Sequence, residues 1–232
     1  MQALKMKNSA IKNLAELIFP SRCIGCSQLG TSICSTCRKS WHPHIYVREL
    51  FVLGSSYPVV SAVQYSPIAS RVLLSAKESN ISAADILLTD AISHSLAYFQ
   101  KHFGGDLLIS IPSRRSATRK RGRNFLGEIT ELVASQSLLK IEVHKEQLLK
   151  HSRRVRDQSA LNSKQRLENL SGALEVPNKP RSNKGDGNIG SLIIVDDLIT
   201  TGATLAEAIR ALRTAGFEVK GAVTGAVAKP LR

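Results

Sequence analysis

The most informative segment of this chain is SLIIVDDLITTGAT, residues 191–204. Its apolar part, residues 192–195, predicts a buried strand that ends at the acids Asp196 and Asp197. The TTGAT turn that follows predicts the start of a helix. A loop between a strand and a helix N-terminus presents free backbone N–H groups and the positive end of the helix dipole. The segment therefore predicts a loop that binds a phosphate group.

The side chains of this loop suit a phosphorylated sugar. Gly202 lets the backbone approach a phosphate closely, and the threonine hydroxyls donate further hydrogen bonds. Two carboxylates would repel a phosphate, so Asp196 and Asp197 need another partner, and vicinal ribose hydroxyls with a nearby divalent cation meet that need. A plain turn with a threonine N-cap is the alternative, but it does not explain the whole string. The predicted phosphate ligands are Thr200, Thr201, Gly202, Ala203 and Thr204.

The rest of the chain alternates strands with helices, which predicts an α/β fold with a parallel sheet covered on both faces. The predicted strands are residues 59–65, 107–111, 141–149, 192–195 and 217–227. The predicted helices are residues 67–77, 83–103, 124–139 and 202–215. We expect residues 45–232 to form this domain and residues 19–44 to form a separate small module.

All four cysteines of the chain lie in that small module. Cys23 and Cys26 form one CxxC pair, Cys34 and Cys37 form a second, and seven residues separate the pairs. Two such pairs predict a closed, structural four-thiolate zinc site. An iron–sulfur cluster uses the same ligands, and disulfides or a redox-active pair are further alternatives.

The net charge of +14 predicts an anionic partner. Two basic segments follow predicted strands, so both are expected at the carboxyl edge that carries the phosphate loop. A solvated charged surface is the alternative. Aromatic residues make up 5% of the chain and are not interleaved with these cations, so phosphate contact is favoured over base stacking. The cations are Arg114, Arg115, Arg119, Lys120, Arg121 and Arg123 in one segment, and Lys150, Arg153, Arg154 and Arg156 in the other.

The N-terminal residues contain neither an apolar signal-peptide core nor a cleavage site, and the chain has no apolar run of about 18 residues. We therefore expect a cytoplasmic protein without a membrane span, in which the cysteines are reduced.

Several motifs in this order resemble the ComF family, competence-protein relatives with a phosphoribosyltransferase domain. They are the paired CxxC motifs, Lys77, IPSRR and KRGRN within residues 111–124, RRVRDQSALNSKQRLENLSGAL at 153–174, and VDDLITTGAT at 195–204. The last motif resembles the phosphoribosyl pyrophosphate (PRPP) motif of type I phosphoribosyltransferases. The resemblance spans residues 19–228, and it departs from the family at Arg123, where an aromatic residue is usual.

The resemblance implies a PRPP site with Mg²⁺. In it, Asp196 and Asp197 are the catalytic acids on the ribose hydroxyls, and the TTGAT turn holds the 5′-phosphate. Residues 112–124, with Arg114, Arg121 and Arg123, face pyrophosphate, and residues 153–169, with Gln158 and Arg166, form a mobile loop over the ligand.

The resemblance also links the chain to DNA uptake, with single-stranded DNA and a helicase-like competence protein as partners. Transfer of a phosphoribosyl group to an unidentified acceptor is the first hypothesis. A non-catalytic nucleic-acid- or partner-binding module and a PRPP-sensing regulator are the alternatives.

Overall fold

A computed structural model describes residues 20–79, 81–137, 141–144, 147–152, 170–177 and 190–228. The described helices are α1 (Ser35–Ser40), α2 (Pro67–Glu78), α3 (Ser82–Phe103), α4 (Arg115–Arg121), α5 (Phe125–Gln136) and α6 (Ala203–Thr214). The described strands are β1 (Tyr46–Val52), β2 (Ser55–Gln64), β3 (Leu107–Ser110), β4 (Glu142–Val143), β5 (Lys150–His151), β6 (Leu174–Glu175), β7 (Leu192–Ile199) and β8 (Val219–Val227).

The main sheet has six strands in the order β1-β2-β8-β7-β3-β4. β1 runs antiparallel to β2, and every other neighbouring pair is parallel. β5 and β6 form a separate two-stranded antiparallel sheet. Because β3 and β7 are parallel neighbours, the loops that follow them lie at one edge of the main sheet, the carboxyl edge.

The centre of the sheet is buried on both faces. Leu192, Ile193, Ile194 and Val195 are fully buried, and since successive strand side chains point to opposite faces, both faces of β7 must be covered. α3 packs on β2 and β8, α5 packs on β3, and α6 packs against β1, β7 and β8. No helix in the described part of the chain has the length and apolar character needed to cross a membrane.

α2 leads directly to the carboxyl edge. Pro67 occupies its first turn, and Ser66 Oγ accepts a hydrogen bond from the backbone N–H of Ala69 at 3.1 Å, which caps the helix. Val72 and Leu73 are buried on one face of the helix, and this packing fixes where its last residues lie.

Several observed elements differ from the predictions. The edge strand β1 and the helix α4, which overlaps the first basic segment, are not among the elements that the sequence predicts. In the predicted strand 141–149, the described part that joins the sheet is Glu142–Val143, and the N–H of His144 donates one further hydrogen bond to the carbonyl of Leu108 at 2.9 Å. β7 runs to Ile199 rather than ending at Val195, because β8 continues beside it to Val227.

Candidate functional site

Asp196 and Asp197, the acid pair, lie on β7 at the carboxyl edge. The Asp196 side chain is buried, and its Oδ1 accepts a hydrogen bond from the backbone N–H of Asp197 at 2.9 Å. Burial, together with the negative charge of Asp197, raises the pKa of Asp196 well above its ordinary value. Asp196 therefore holds a proton much more readily than a carboxyl group in water.

Lys77, near the end of α2, is the cationic partner of the acid pair. Its Nζ lies 2.9 Å from Oδ2 of Asp197, and the two side chains are 38% and 13% exposed. Burial alone would raise the pKa of Asp197, but the charge and hydrogen bond of Lys77 outweigh burial and lower that pKa. Burial would lower the pKa of Lys77, and the charge of Asp197 instead raises it. Both groups are therefore ionised at neutral pH.

The phosphate loop, residues 200–204, connects β7 to α6. Gly202 has a φ of +83°, a backbone conformation that favours glycine, and a Cβ at this position would lie 2.5 Å from Cδ2 of Leu50, so the Leu50 side chain would also have to move. Arg48 supports the loop by donating a hydrogen bond from Nη1 to the carbonyl of Thr200 at 3.2 Å.

The start of α6 suits an anion. Its N-cap residue is Gly202, which has no side chain to satisfy the first N–H groups of the helix. The N–H of Ala203 makes a long bond of 3.4 Å to Thr201 Oγ1. Residues 198–205 line a small hollow here together with Asp196. The loop thus retains the backbone donors that a phosphate would use.

A cavity of about 730 Å³ opens beside the acid pair and the phosphate loop. Its polar wall combines carboxylates, hydroxyls and cations, and its apolar wall comes from α2, α5 and the region around β6. The polar lining residues include Lys77, Glu78, Arg114, Arg121, His151, Asp196, Asp197, Thr200 and Thr204, and the apolar ones include Leu73, Leu74, Ile111, Phe125, Leu126, Leu170 and Leu174.

Three of the arginines predicted to bind the ligand lie within residues 112–124, and two of these, Arg114 and Arg121, line this cavity. Arg121 ends α4, and its Nε and Nη2 donate to Oε1 of Glu78 at 3.1 and 2.7 Å. Arg123 is engaged with α3 instead, where Nη1 and Nη2 donate to the two carboxylate oxygens of Asp85 at 2.8 and 3.0 Å. The cavity lining does not include Arg123 among the described residues.

The predicted ligands Gln158 and Arg166 lie outside the described residues. The chain enters and leaves segment 153–169 through β5 and β6, which pair with each other beside the cavity. His151 lines the cavity and donates a hydrogen bond from Nε2 to the carbonyl of Pro112 at 3.0 Å. Burial lowers the pKa of His151, which favours this neutral, donating imidazole.

The four cysteines form a compact sulfur cluster. Their Sγ atoms all lie within 4.8 Å of one another, and the Sγ atoms of Cys26 and Cys34 are 3.7 Å apart. Tetrahedral zinc with Zn–S bonds of about 2.3 Å requires sulfur separations of about 3.8 Å, so the cluster fits zinc. Burial would raise the pKa of Cys23, but backbone N–H groups, led by that of Cys34 at 3.3 Å, lower it to about 6. Burial and the neighbouring thiols raise the pKa of Cys37, so a positive charge such as a metal ion would be needed to hold all four groups as thiolates.

The cysteine module packs on the helices behind the cavity. Arg71 in α2 donates a hydrogen bond from Nη1 to the carbonyl of Gly25 at 2.6 Å. The buried Trp41 donates from Nε1 to the carbonyl of Leu87 in α3 at 3.2 Å. The module is therefore joined to the helix that carries Lys77.

One comparison with known proteins found a family whose model matches part of this chain. Residues 131–230 match the phosphoribosyl transferase domain. This region includes the acid pair and the phosphate loop, and the match supports a protein of the phosphoribosyltransferase family. Together with the mostly parallel sheet and the sulfur cluster, it confirms the predicted fold class. No curated protein matches the chain.

The sequence did not assign roles to Lys77 and Glu78, although both line the cavity. Lys77 follows the buried Leu73 by four residues and therefore shares the buried face of α2. A lysine on the apolar face of a helix is a signal that it has an acidic partner. Glu78 carried no comparable signal, because its partner Arg121 is 43 residues away.

Proposed function

We propose that this protein binds PRPP with Mg²⁺ in the cavity at the carboxyl edge. The phosphate loop would hold the 5′-phosphate, the acid pair would face the ribose, and Arg114 and Arg121 would face pyrophosphate. The observation that carries this proposal is that all three groups line one continuous cavity of about 730 Å³. Gln158 and Arg166, on the segment that begins and ends beside this cavity, would complete the site. Arg123 would contribute indirectly, by holding α3 in place through its hydrogen bonds to Asp85.

The proposed reaction is phosphoribosyl transfer. The bond between the anomeric carbon and pyrophosphate breaks, the electron pair leaves with pyrophosphate, and a nucleophile of the acceptor forms the new bond to that carbon. Positive charge develops on the ribose, where the ionised Asp197 stabilises it, and negative charge develops on pyrophosphate, where Arg114 and Arg121 stabilise it.

The donor set of the site also fits Mg²⁺. The carboxylate oxygens of the acid pair, next to ligand hydroxyl and phosphate oxygens, are the hard donors that this cation prefers. Mg²⁺ would neutralise charge on pyrophosphate as it leaves. The acceptor would enter along the apolar wall, where Leu73 and Leu74 of α2 lie beside Lys77.

Calorimetric titration of PRPP with Mg²⁺ tests this function. The wild-type protein is expected to bind, and the double variant Asp196→Asn/Asp197→Asn is expected to lose binding because it removes the groups that face the ribose. Asp90→Asn is the matched control, since Asp90 is an exposed acid on α3 away from the cavity. A folded, metal-loaded wild type that does not bind PRPP would refute the proposal.

A second function, contact with single-stranded DNA, is favoured by α4. This helix has no buried residue, and Arg115, Arg119 and Lys120 are exposed on it beside the cavity. The resemblance to the ComF family would connect such contact to DNA uptake in the cytoplasm, next to a helicase-like protein. In that case PRPP would act as a regulatory ligand or as a substrate, and turnover of PRPP with a screened acceptor distinguishes the two roles.

A further inference from the structure

Glu78 is the last residue of α2 and connects that helix to the end of α4. Its Oε1 accepts hydrogen bonds from Nε and Nη2 of Arg121 at 3.1 and 2.7 Å. Its Oε2 lies 3.8 Å from Nζ of Lys120. One carboxylate therefore lies between two consecutive cations of α4 at the edge of the cavity.

The burial of this pair is unequal. The Arg121 side chain is 11% exposed, whereas the Glu78 side chain is 37% exposed. Arg121 is thus enclosed, and the edge of its guanidinium that carries Nε and Nη2 already faces a carboxylate. The hydrogen bonds from Arg121 lower the pKa of Glu78, so this carboxylate is ionised at neutral pH.

A guanidinium recognises a carboxylate and a phosphate with the same fork of N–H donors. An anion that binds the Nε–Nη2 edge of Arg121 must therefore displace Glu78, because Glu78 already occupies that edge. The neighbouring Lys77 makes the complementary contact with Asp197 at 2.9 Å, so the end of α2 directs a cation to the acid pair and an anion to Arg121.

We propose that Glu78 is a specificity-determining residue that occupies Arg121 until a diphosphate displaces it. This inference rests on the proposed function, which places the pyrophosphate of the ligand at Arg121. A diphosphate carries more negative charge than one carboxylate and has oxygens for both Arg114 and Arg121. A sugar with a single phosphate on the phosphate loop leaves Glu78 bound to Arg121. The cavity thereby favours diphosphate-bearing ligands over monophosphates.

Titration of inorganic pyrophosphate into Glu78→Gln tests this role. The variant is expected to bind pyrophosphate about two- to fivefold more tightly than the wild type, the range expected for loss of a partly exposed ion pair. Glu218→Gln is the matched control, because it removes a carboxylate paired with Lys220 at 2.7 Å, just before β8 at the opposite edge of the sheet. This control is expected to bind pyrophosphate as the wild type does.

Two further variants make the test specific. Glu78→Asp keeps the charge but shortens the side chain, and it is expected to give a smaller gain. The gain is expected to vanish when Glu78→Gln is combined with Arg121→Gln. Unchanged or weaker pyrophosphate binding by Glu78→Gln would overturn the proposal, and so would a gain that persists without Arg121.

The outcomes separate this inference from the proposed function. If the wild type binds PRPP but Glu78→Gln gains nothing toward pyrophosphate, the role of Glu78 is wrong and the function stands. If Glu78→Gln gains pyrophosphate affinity through Arg121 but no form binds PRPP, the function is wrong and the competition between Glu78 and diphosphate stands.

Discussion

At the scale of single residues, the acid pair shows how neighbours in sequence differ in charge state. Asp196 is buried next to a negative charge, which raises its pKa, whereas Asp197 meets the ammonium group of Lys77, which lowers its pKa. One position therefore favours a proton and the other favours a charge. The two acids should respond differently to substitution and to pH.

Replacing Asp196 by Asn is expected to raise the free energy of unfolding by about 1–3 kcal/mol at about pH 8, because Asp196 must either bury its charge or take up a proton when the chain folds, and Asn does neither. The amide oxygen can still accept the hydrogen bond from Asp197. Since the folded pKa of Asp196 is raised, the wild type loses stability as pH rises through that pKa, and the difference disappears below the unfolded value of about 3.9. Urea unfolding of both proteins at about pH 8 and about pH 3.5 measures this effect.

Asp197→Asn provides the contrast. It leaves Lys77 without its carboxylate, so the free energy of unfolding should fall at neutral pH. The folded pKa of Asp197 is lowered, so this contribution is present above the unfolded pKa and is lost as pH falls through the folded one. Destabilisation of similar size in both variants would contradict the assignment of opposite charge states.

At the scale of elements, we expect the cysteine module to depend on a bound metal for its structure, because its four Sγ atoms lie within 4.8 Å of one another. The module is short. Its contacts with the rest of the chain include the hydrogen bond from Trp41 to Leu87 in α3 and the hydrogen bond from Arg71 in α2 to Gly25. Metal that holds four thiolates supplies folding energy that so few apolar residues cannot supply. Loss of the metal should therefore release the module from the helices.

Trp41 reports this change, because it is the one tryptophan of the chain and is 1% exposed. Removal of the metal by a chelator is expected to shift its fluorescence emission to longer wavelength as it becomes solvated. Metal analysis is expected to find one zinc ion per chain. Cys26→Ser is expected to lower the zinc content, and Ser27→Ala is the control on the same turn. Iron in place of zinc, or an unchanged emission after complete metal removal, would be contrary to this expectation.

Elements whose apolar residues recur at helical or strand spacing were predictable from the sequence, and elements without such a pattern were not. α2, α3 and α6 carry buried residues at helical spacing, and the sequence located them within a few residues. α4 was missed because no residue in it is buried, so it has no apolar period to recognise. β1 was missed because it is an edge strand whose outward side includes Val47 and Phe51, which obscures the alternation expected of a half-buried strand.

At the scale of the whole molecule, part of the positive charge of the chain lies at the carboxyl edge, on Arg114 and on the cations of α4. The sequence predicts that Arg114, Arg121 and the phosphate loop lie at one edge of the sheet, because the carboxyl ends of parallel strands lie together, and in the structure all three line one cavity. It could not show that Lys77 and Glu78 occupy the same cavity. Those contacts depend on how α2 packs, and the partners are 120 and 43 residues apart in the chain.

If the protein contacts single-stranded DNA through α4, Arg115→Gln/Arg119→Gln should weaken binding. The slope of log affinity against log salt concentration should fall by about 1.4, which corresponds to two phosphate contacts. Lys101→Gln/Arg213→Gln is the control for charge alone, since both residues are exposed at the ends of α3 and α6. Fluorescence anisotropy of a labelled oligonucleotide over a range of salt concentrations measures the slopes, and equal slopes for both variants would exclude a specific role of α4.

The residues that support the phosphate loop and the acid pair have a consequence for gene fusions that involve this chain. Leu50 fills the space beside Gly202, Arg48 holds the carbonyl of Thr200, and Lys77 balances Asp197. All three precede the region that matches the phosphoribosyl transferase domain. A gene fusion that joined only residues 131–230 to a new N-terminal partner would transfer the VDDLITTGAT sequence without the three side chains that support the phosphate loop and the acid pair. The shape of the phosphate loop therefore depends on residues outside the matched region.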